Sequence, residues 1–326
     1  MVKGEHRGRV VYIDEDYSGP HHFPPVASGS FIEWYMGWLR ECAAGYAVRS
    51  YGYVQLGSPD ELMARYNNTG EEERLSLLFA VRKAWKEGRY LPVQGPGISK
   101  AVEDKLFDIL HNDESVRCRR AALTAIVHFE SGKWKDEVAA HISDPVWVSD
   151  CSLTLHWKYQ IRMNEYWPEI NEWYEVLVSA LPAAMAARDD EDGKYAMHRI
   201  VSAILACDKA TFEDIKPYMD DDSTLQLFAD RREIPEKHWE FCFTHIREGF
   251  NAFHSSEKDV KSYAELRQWL FMIRDMLKKT PGVKDALIQA FHSDLLKLQA
   301  DFAANSPVET DEYIRNNVDM VLELLK

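Results

Sequence analysis

Apolar residues recur at helical spacing along most of this chain. Val102, Leu106, Ile109 and Leu110 fall at i, i+4, i+7 and i+8, which makes one stripe on an α-helix. Asp113 and Glu114 interrupt that stripe, as suits a tight turn followed by the acidic first turn of a second helix. The second helix carries Val116, Leu123, Ile126 and Val127, and Ala121, Ala122 and Ala125 between them allow close approach of a neighbour. Trp134, Val138, His141 and Ile142 make the next stripe. Asp144-Pro145 then supplies a cap and a first-position proline for a helix carrying Val148, Cys151 and Leu155. A helix ending near Ala187 runs into Asp189-Asp190-Glu191-Asp192, and Ile200, Val201, Ile204 and Leu205 form the one after it. Phe212, Ile215 and Met219 end at Asp220-Asp221-Asp222.

Upstream, Ser58-Pro59-Asp60-Glu61 is a strong helix start, and residues 71–87 carry Leu75, Leu78, Val81 and Trp85 at helical spacing. Leu91 to Gly97 is the longest loop signal. Downstream, Trp239, Phe243, Ile246, Phe250 and Phe253 form one long stripe, and Tyr263, Leu266, Leu270, Ile273 and Leu277 another. Ile314, Val318, Val321 and Leu325 close the chain after the cap signal Ser306-Pro307-Val308-Glu309. Asp113 to Asp144 and Asp189 to Asp220 are both steps of 31 residues. An isolated pair of such helices cannot bury its apolar face, so stacked neighbours are expected. The paired stripes with an acidic turn and an Ala-rich second helix resemble a HEAT-type helical repeat. The expectation is an all-α fold, a curved HEAT-like solenoid over residues 58–326 closed by a long-helix C-terminal cap.

Residues 1–57 read differently. Arg9-Val-Val-Tyr-Ile13 is a β-branched and aromatic run followed by Asp14-Glu15-Asp16, and a Gly/Pro-rich loop passes through Gly19-Pro20 and Pro24-Pro25. Ser30 can then cap a helix with Phe31, Trp34, Trp38 and Leu39. Gly4 to Gly8, Tyr12, Asp14, Val26 to Ser30, Phe31 and Trp34 together resemble the C-terminal part of a SUKH-superfamily domain over residues 4–45. That superfamily includes many bacterial toxin-immunity proteins. The N-terminal helices and most of the sheet of such a domain are absent from the pattern, so no functional residue is carried over. A lone strand is not stable by itself. Residues 9–13 are expected to pair with a second extended segment near Tyr51 to Gln55, or with another copy of the chain.

Charge narrows the partners. The formal net charge is −14, and residues 1–50 hold five basic and six acidic side chains, so the excess lies downstream. No basic stripe fits a phosphate backbone, which excludes nucleic acid as a partner, whereas a basic protein surface suits the sign. Cys42, Cys118, Cys151, Cys207 and Cys242 are an odd set with no C-x-x-C pair, as in a reducing, cytoplasmic setting. No apolar run approaches the ~18 residues of a membrane span.

Candidate chemistry is thin. Asp189 to Asp192 before Gly193 suggests a calcium loop, but the register puts Arg188 at position one and Arg199 at position twelve. Gly95 to Lys100 lacks phosphate-loop spacing. His238, Cys242 and His245 share a helix face without a fourth ligand, so they read as structural. No cofactor, metal or nucleophile–base arrangement is expected, and the chain reads as non-enzymatic.

Two features exceed what structure alone requires. One is the set of acidic turns at Asp113, Asp144, Asp189, Asp190, Glu191, Asp192, Asp220, Asp221 and Asp222. A helix start needs one cap, not four carboxylates. Turns of equivalent repeats share an edge of a solenoid, so these carboxylates are expected along one edge. The other is the aromatic cluster with Trp147, Trp157, Trp167 and Trp173, residue types favoured at interfaces. The expected function is a cytoplasmic binding protein, most specifically an immunity protein that occludes a basic toxin domain. The alternatives are a scaffold for other protein complexes and, behind it, an enzyme on a helical frame.

Overall fold

The computed structural model describes residues 10–11, 26–28, 30–32, 34–36, 39, 59–87, 100–127, 132–159, 168–190, 193, 195–219, 222–255, 260–304 and 309–326. The described residues are overwhelmingly helical, and the fold is all-α. The chain divides into two compact units, residues 1–160 and 161–326. The boundary expected at 57/58 lies outside the described residues.

In the first unit, β1 (Val10–Val11) pairs antiparallel with β2 (Val26–Ser28), Val10 opposite Ser28 and Val11 opposite Val26, with a register shift between them. The partner expected at 51–55 lies outside the described residues. The helices are α1 (Pro59–Tyr66), α2 (Glu71–Glu87), α3 (Lys100–Asn112), α4 (Val116–Ile126), α5 (Trp134–His141) and α6 (Val148–Lys158). β2 lies against α2, and the helices touch in the order α1 on α2 and α3, α2 and α3 on α4, and α4 on α5 and α6. The packing follows the stripes: Val102, Leu106, Ile109 and Leu110 on α3 and Leu123, Ile126 and Val127 on and beside α4 are all buried.

Two helix starts differ from the sequence reading. Ser115, not Asp113 or Glu114, caps α4, its hydroxyl accepting from the Cys118 backbone N–H at 3.2 Å, and Val116 is exposed at the first position. Asp144-Pro145 heads a separate turn, and α6 begins after Trp147, which caps it without a side-chain bond. A carboxylate one or two residues early can satisfy a turn amide as readily as a helix amide.

The second unit opens on a short 3₁₀ stretch, Pro168–Trp173, followed by α7 (Tyr174–Ala186), α8 (Ala196–Ala206), α9 (Phe212–Ile215) and α10 (Asp222–Arg231). Four long helices complete it: α11 (Trp239–Ser255), α12 (Val260–Lys279), α13 (Val283–Ala304) and α14 (Glu309–Leu325). Here α7 touches α8, α8 touches α10, α10 touches α12, and α11 to α14 pack on one another. Phe243 and Phe250 on α11 meet Phe291 on α13 edge to face, at centroid distances of 5.4 and 5.9 Å. Gly249 on α11 stands where the indole of Trp269 on α12 presses against the helix. Arg232 donates to the carbonyls of Leu205 and Cys207 and so closes the C-terminus of α8.

Asp214 ties α7 to α9. It accepts from the Tyr174 hydroxyl at 2.6 Å and from both the backbone and the hydroxyl of Thr211. Burial opposes its charge, but the bonds from Tyr174 and Thr211 win and hold its pKa below the usual carboxylate value. A depressed carboxylate contributes stability above its unfolded pKa of about 3.9, and loses it as pH falls through the lower folded value. Urea unfolding between pH 5 and pH 2 should therefore show an acid-side loss of stability that Asp214→Asn reduces. An unchanged slope in the variant would remove Asp214 from that account.

Candidate interaction surfaces

A cleft of about 410 Å³ opens in the first unit between the end of α1, the start of α2, α3 and the turn after it. Its walls include Tyr66, Asn67, Arg74, Lys105, Asp108, Asn112, Asp113 and Glu114. Asp113 is the centre of this group. Its Oδ2 accepts from the Tyr66 hydroxyl at 2.7 Å and from Arg74 Nη1 at 3.1 Å, and its Oδ1 accepts from the Ser115 amide at 2.8 Å. Arg74 Nη2 reaches Glu114 at 3.0 Å. The Tyr66 ring lies 5.8 Å from the Arg74 guanidinium and 5.9 Å from the Lys105 ammonium. At the mouth, Asp108 accepts from Lys105 and Asn112, both at 3.0 Å.

The electrostatics of the cleft are those of a closed network. Burial, reinforced by bonds to Cys118 and Asp113, pushes the Tyr66 phenol far up, so it stays a donor. Burial works against the Arg74 charge, but Asp113, Cys118, Glu114 and Tyr66 together outweigh it and Arg74 stays ionised. Burial also raises the Cys118 thiol, which is therefore not a thiolate nucleophile at neutral pH. The group fixes the relation of α1, α2 and α4. Asp113, expected on an acidic edge, is spent on this internal work.

The other acidic turns differ among themselves. Asp144 is exposed, and its Oδ1 accepts from the Val146 amide at 2.8 Å, an Asx turn. Asp189 and Asp190 are exposed in the turn after α7, the Asp189 side chain 94% so. That turn is drawn tight by bonds from Asp190 N to Ala187 O and from Gly193 N to Asp190 O. Gly193 is required there, because a Cβ would sit 2.1 Å from the Ala187 carbonyl oxygen. The helix that follows is capped at Tyr195 with no side-chain bond, so neither Asp189 nor Asp190 caps it. Glu191, Asp192, Asp220, Asp221 and the side chain of Asp222 lie outside the described residues.

Of the four tryptophans expected at an interface, two are core. Trp147 is buried and stacks on His141 at 4.5 Å, and Trp173 is buried beside Ile170 at the start of α7. The side chain of Trp157 and the whole of Trp167 lie outside the described residues. Both buried tryptophans stand in the position just before a helix.

His238, Cys242 and His245 do not converge. His238 is buried, stacked on Phe212 at 4.3 Å with Glu213 Oε1 3.0 Å from its Nε2; Cys242 is buried; and His245 Nδ1 bonds the Phe241 carbonyl. Among the described residues no group of three or more metal-ligating side chains comes together. Burial holds the His238 pKa down against the pull of Glu213. Its neutral form contributes stability above about pH 6.5, and that share is lost as pH falls below this toward the folded value. His238→Phe, which keeps the ring stack, should flatten the fall in urea midpoint between pH 7 and pH 5. An equal fall in the variant would count against it.

The sequence reading missed one surface. Residues 31, 32, 34–36 and 39 are helical, the turn opening with Trp34 N bonded to Ser30 O at 3.1 Å. Phe31, Ile32, Tyr35, Met36 and Leu39 are exposed there by 63, 73, 43, 46 and 40%. Phe31 stacks with Trp34 at 5.9 Å and with Tyr35 at 6.0 Å. The available signal was a wide apolar face in a segment with few partners in its own stretch of chain. Reading Phe31 and Trp34 as a motif hid Ile32, Tyr35 and Met36. Among the described residues, Cys118, Cys151, Cys207 and Cys242 are free and buried, and no helix is long and apolar enough to cross a membrane. No family model, curated protein or solved structure matches the chain.

Proposed function

We propose that this chain is a non-enzymatic binding protein for a basic protein partner, and in its most specific form a toxin-immunity protein that acts by occlusion. The observation that carries the reading is the turn after α7. Asp189 and Asp190 stand exposed inside a run of four carboxylates, in a loop closed by Gly193, and they do not cap the helix that follows. Like charges held together repel, an effect screened to a small one at physiological salt. Their use is in attracting a cation. The immunity form rests on the SUKH-like residues 4–45, of which the described ones include Val26 to Ser28, Phe31 and Trp34. The same reading keeps a HEAT-like repeat array: within each unit the contacting helices are ones that lie one or two apart in the chain, which supports it.

The test neutralises Asp189, Asp190, Asp192, Asp220, Asp221 and Asp222 to Asn, with circular dichroism to check the fold. Against the partner recovered from the source cells and then purified, association should slow about tenfold at low salt and lose much of its salt dependence. Dissociation should change little. An on-rate indifferent to all six changes would leave these carboxylates as solvated turn residues and remove the charge-steered reading.

A further inference from the structure

We propose that the cleft of the first unit receives a lysine side chain of the basic protein partner. The inference rests on the binding reading above, and every residue it uses lies in the first unit. The walls of the cleft carry two cations, Arg74 and Lys105, against three carboxylates, Asp108, Asp113 and Glu114, which leaves one negative charge in excess. Lys105 matches Asp108 and Arg74 matches Asp113. The excess falls on Glu114, which shares Arg74 from a side chain that is 83% exposed.

Acceptors remain open beside that charge. Glu114 uses Oε1 toward Arg74, and Asn112 uses its amide N–H toward Asp108. Among the described residues, nothing donates to Glu114 Oε2, to Asn112 Oδ1 or to the side-chain oxygen of Asn67. An ammonium brings three donors on one atom, whereas a guanidinium brings five in a planar fork. Three open acceptors and one unmatched charge suit the ammonium and would leave part of a guanidinium unmet. The cleft already accommodates one such group. Lys105 Nζ sits 3.0 Å from Asp108 Oδ2 and 5.9 Å from the centre of the Tyr66 ring. The volume of about 410 Å³ is at the small end of the ~300–1,000 Å³ of ligand pockets, room for one long side chain. Polar walls disfavour an apolar anchor, which would cover those groups without bonding them.

The test titrates the full chain with Nα-acetyl-lysine amide at fixed ionic strength and follows it by heteronuclear NMR. The Nε-acetylated form of the probe and Nα-acetyl-arginine amide are the controls. The lysine probe should give saturable shifts at Asn67, Asn112 and Glu114, with a Kd on the order of 10 mM. The Nε-acetylated form should give none, and the arginine probe a weaker response. Glu114→Gln, which leaves the walls neutral, should weaken binding about threefold, and Lys105→Gln, which removes the cation already there, should strengthen it by a similar factor. Circular dichroism checks that both variants fold. Against the purified partner, Glu114→Gln/Asn112→Ala should speed dissociation about tenfold, whereas the aspartate changes of the turn after α7 slow association. No saturable shift up to about 100 mM would overturn the inference. So would equal binding of the Nε-acetylated probe, or a Lys105→Gln variant that binds no tighter. A partner slowed by the aspartate changes but indifferent to Glu114→Gln/Asn112→Ala would overturn it and leave the binding reading intact. A partner that dissociates faster with the cleft changes and ignores the aspartate changes would keep the lysine contact and remove the charge-steered reading.

Discussion

Gly249→Ala should destabilise the second unit by about 2–3 kcal/mol, although alanine is the better helix former by about 1 kcal/mol. A Cβ at Gly249 would lie 1.8 Å from Trp269 Nε1 and 2.3 Å from both Cδ1 and Cε2, distances no packed atoms sustain. The obstacle is a large ring that is itself 3% exposed, between α11 and α12, so it cannot swing into solvent. Relief has to come from shifting the two helices, which also hold Phe243 and Phe250 against Phe291. Chemical denaturation of the variant should show a lower midpoint with an unchanged m-value. Trp269→Leu should be destabilising alone, yet Gly249→Ala should cost little more on that background, a strong non-additivity between touching sites. A neutral or stabilising Gly249→Ala in the wild type would mean that the indole does not occupy this notch.

The helices were legible because burial acts through spacing. Val102 to Leu110, Ile200 to Leu205, Phe243 to Phe253 and Ile314 to Leu325 all bury the stripes their periodicity marks. Acidic turns were located but not sorted. Asp113, Asp144 and Asp189 read alike in sequence, and their fates depend on which donors the fold brings up: Tyr66 and Arg74 in the first case, Val146 N in the second, and exposed Arg188 at 3.7 Å in the third. Those donors are distant in sequence only for Asp113. Tryptophans were likewise located but not sorted into core and surface. Ring type indicates the capacity to anchor an interface, but it does not say whether a ring is buried, as Trp147 and Trp173 are. The exposed face at residues 31–39 follows the same logic in reverse, since its periodicity is that of a core helix and only the fold leaves it uncovered.

Asp113→Ala should be among the most damaging single changes in the first unit, costing about 3–4 kcal/mol. The substitution removes an acceptor from three donors at once: the Tyr66 hydroxyl, Arg74 Nη1 and the Ser115 amide. The decisive loss is at Arg74, whose side chain is 15% exposed and whose remaining carboxylate, Glu114, is 83% exposed and weakly held. A guanidinium kept from water without a full counter-charge is far less favourable than no charge at all. It follows that Arg74→Met should partly rescue Asp113→Ala, because the methionine fills much of the same volume and leaves no orphaned charge. A double-mutant cycle by urea denaturation, followed through the fluorescence of Trp134 and Trp147, measures the coupling directly. A loss below about 1 kcal/mol, or a double variant no better than the sum of the singles, would show the network to be surface decoration. The same experiment separates two kinds of acidic turn residue. Asp113→Ala should lower stability strongly, whereas Asp189→Asn/Asp190→Asn should leave it within about 0.5 kcal/mol of the wild type, since those side chains hold no helix in place. Under the proposed function, carboxylates whose neutralisation leaves stability unchanged, in a chain at −14, are the ones available to steer a cationic partner.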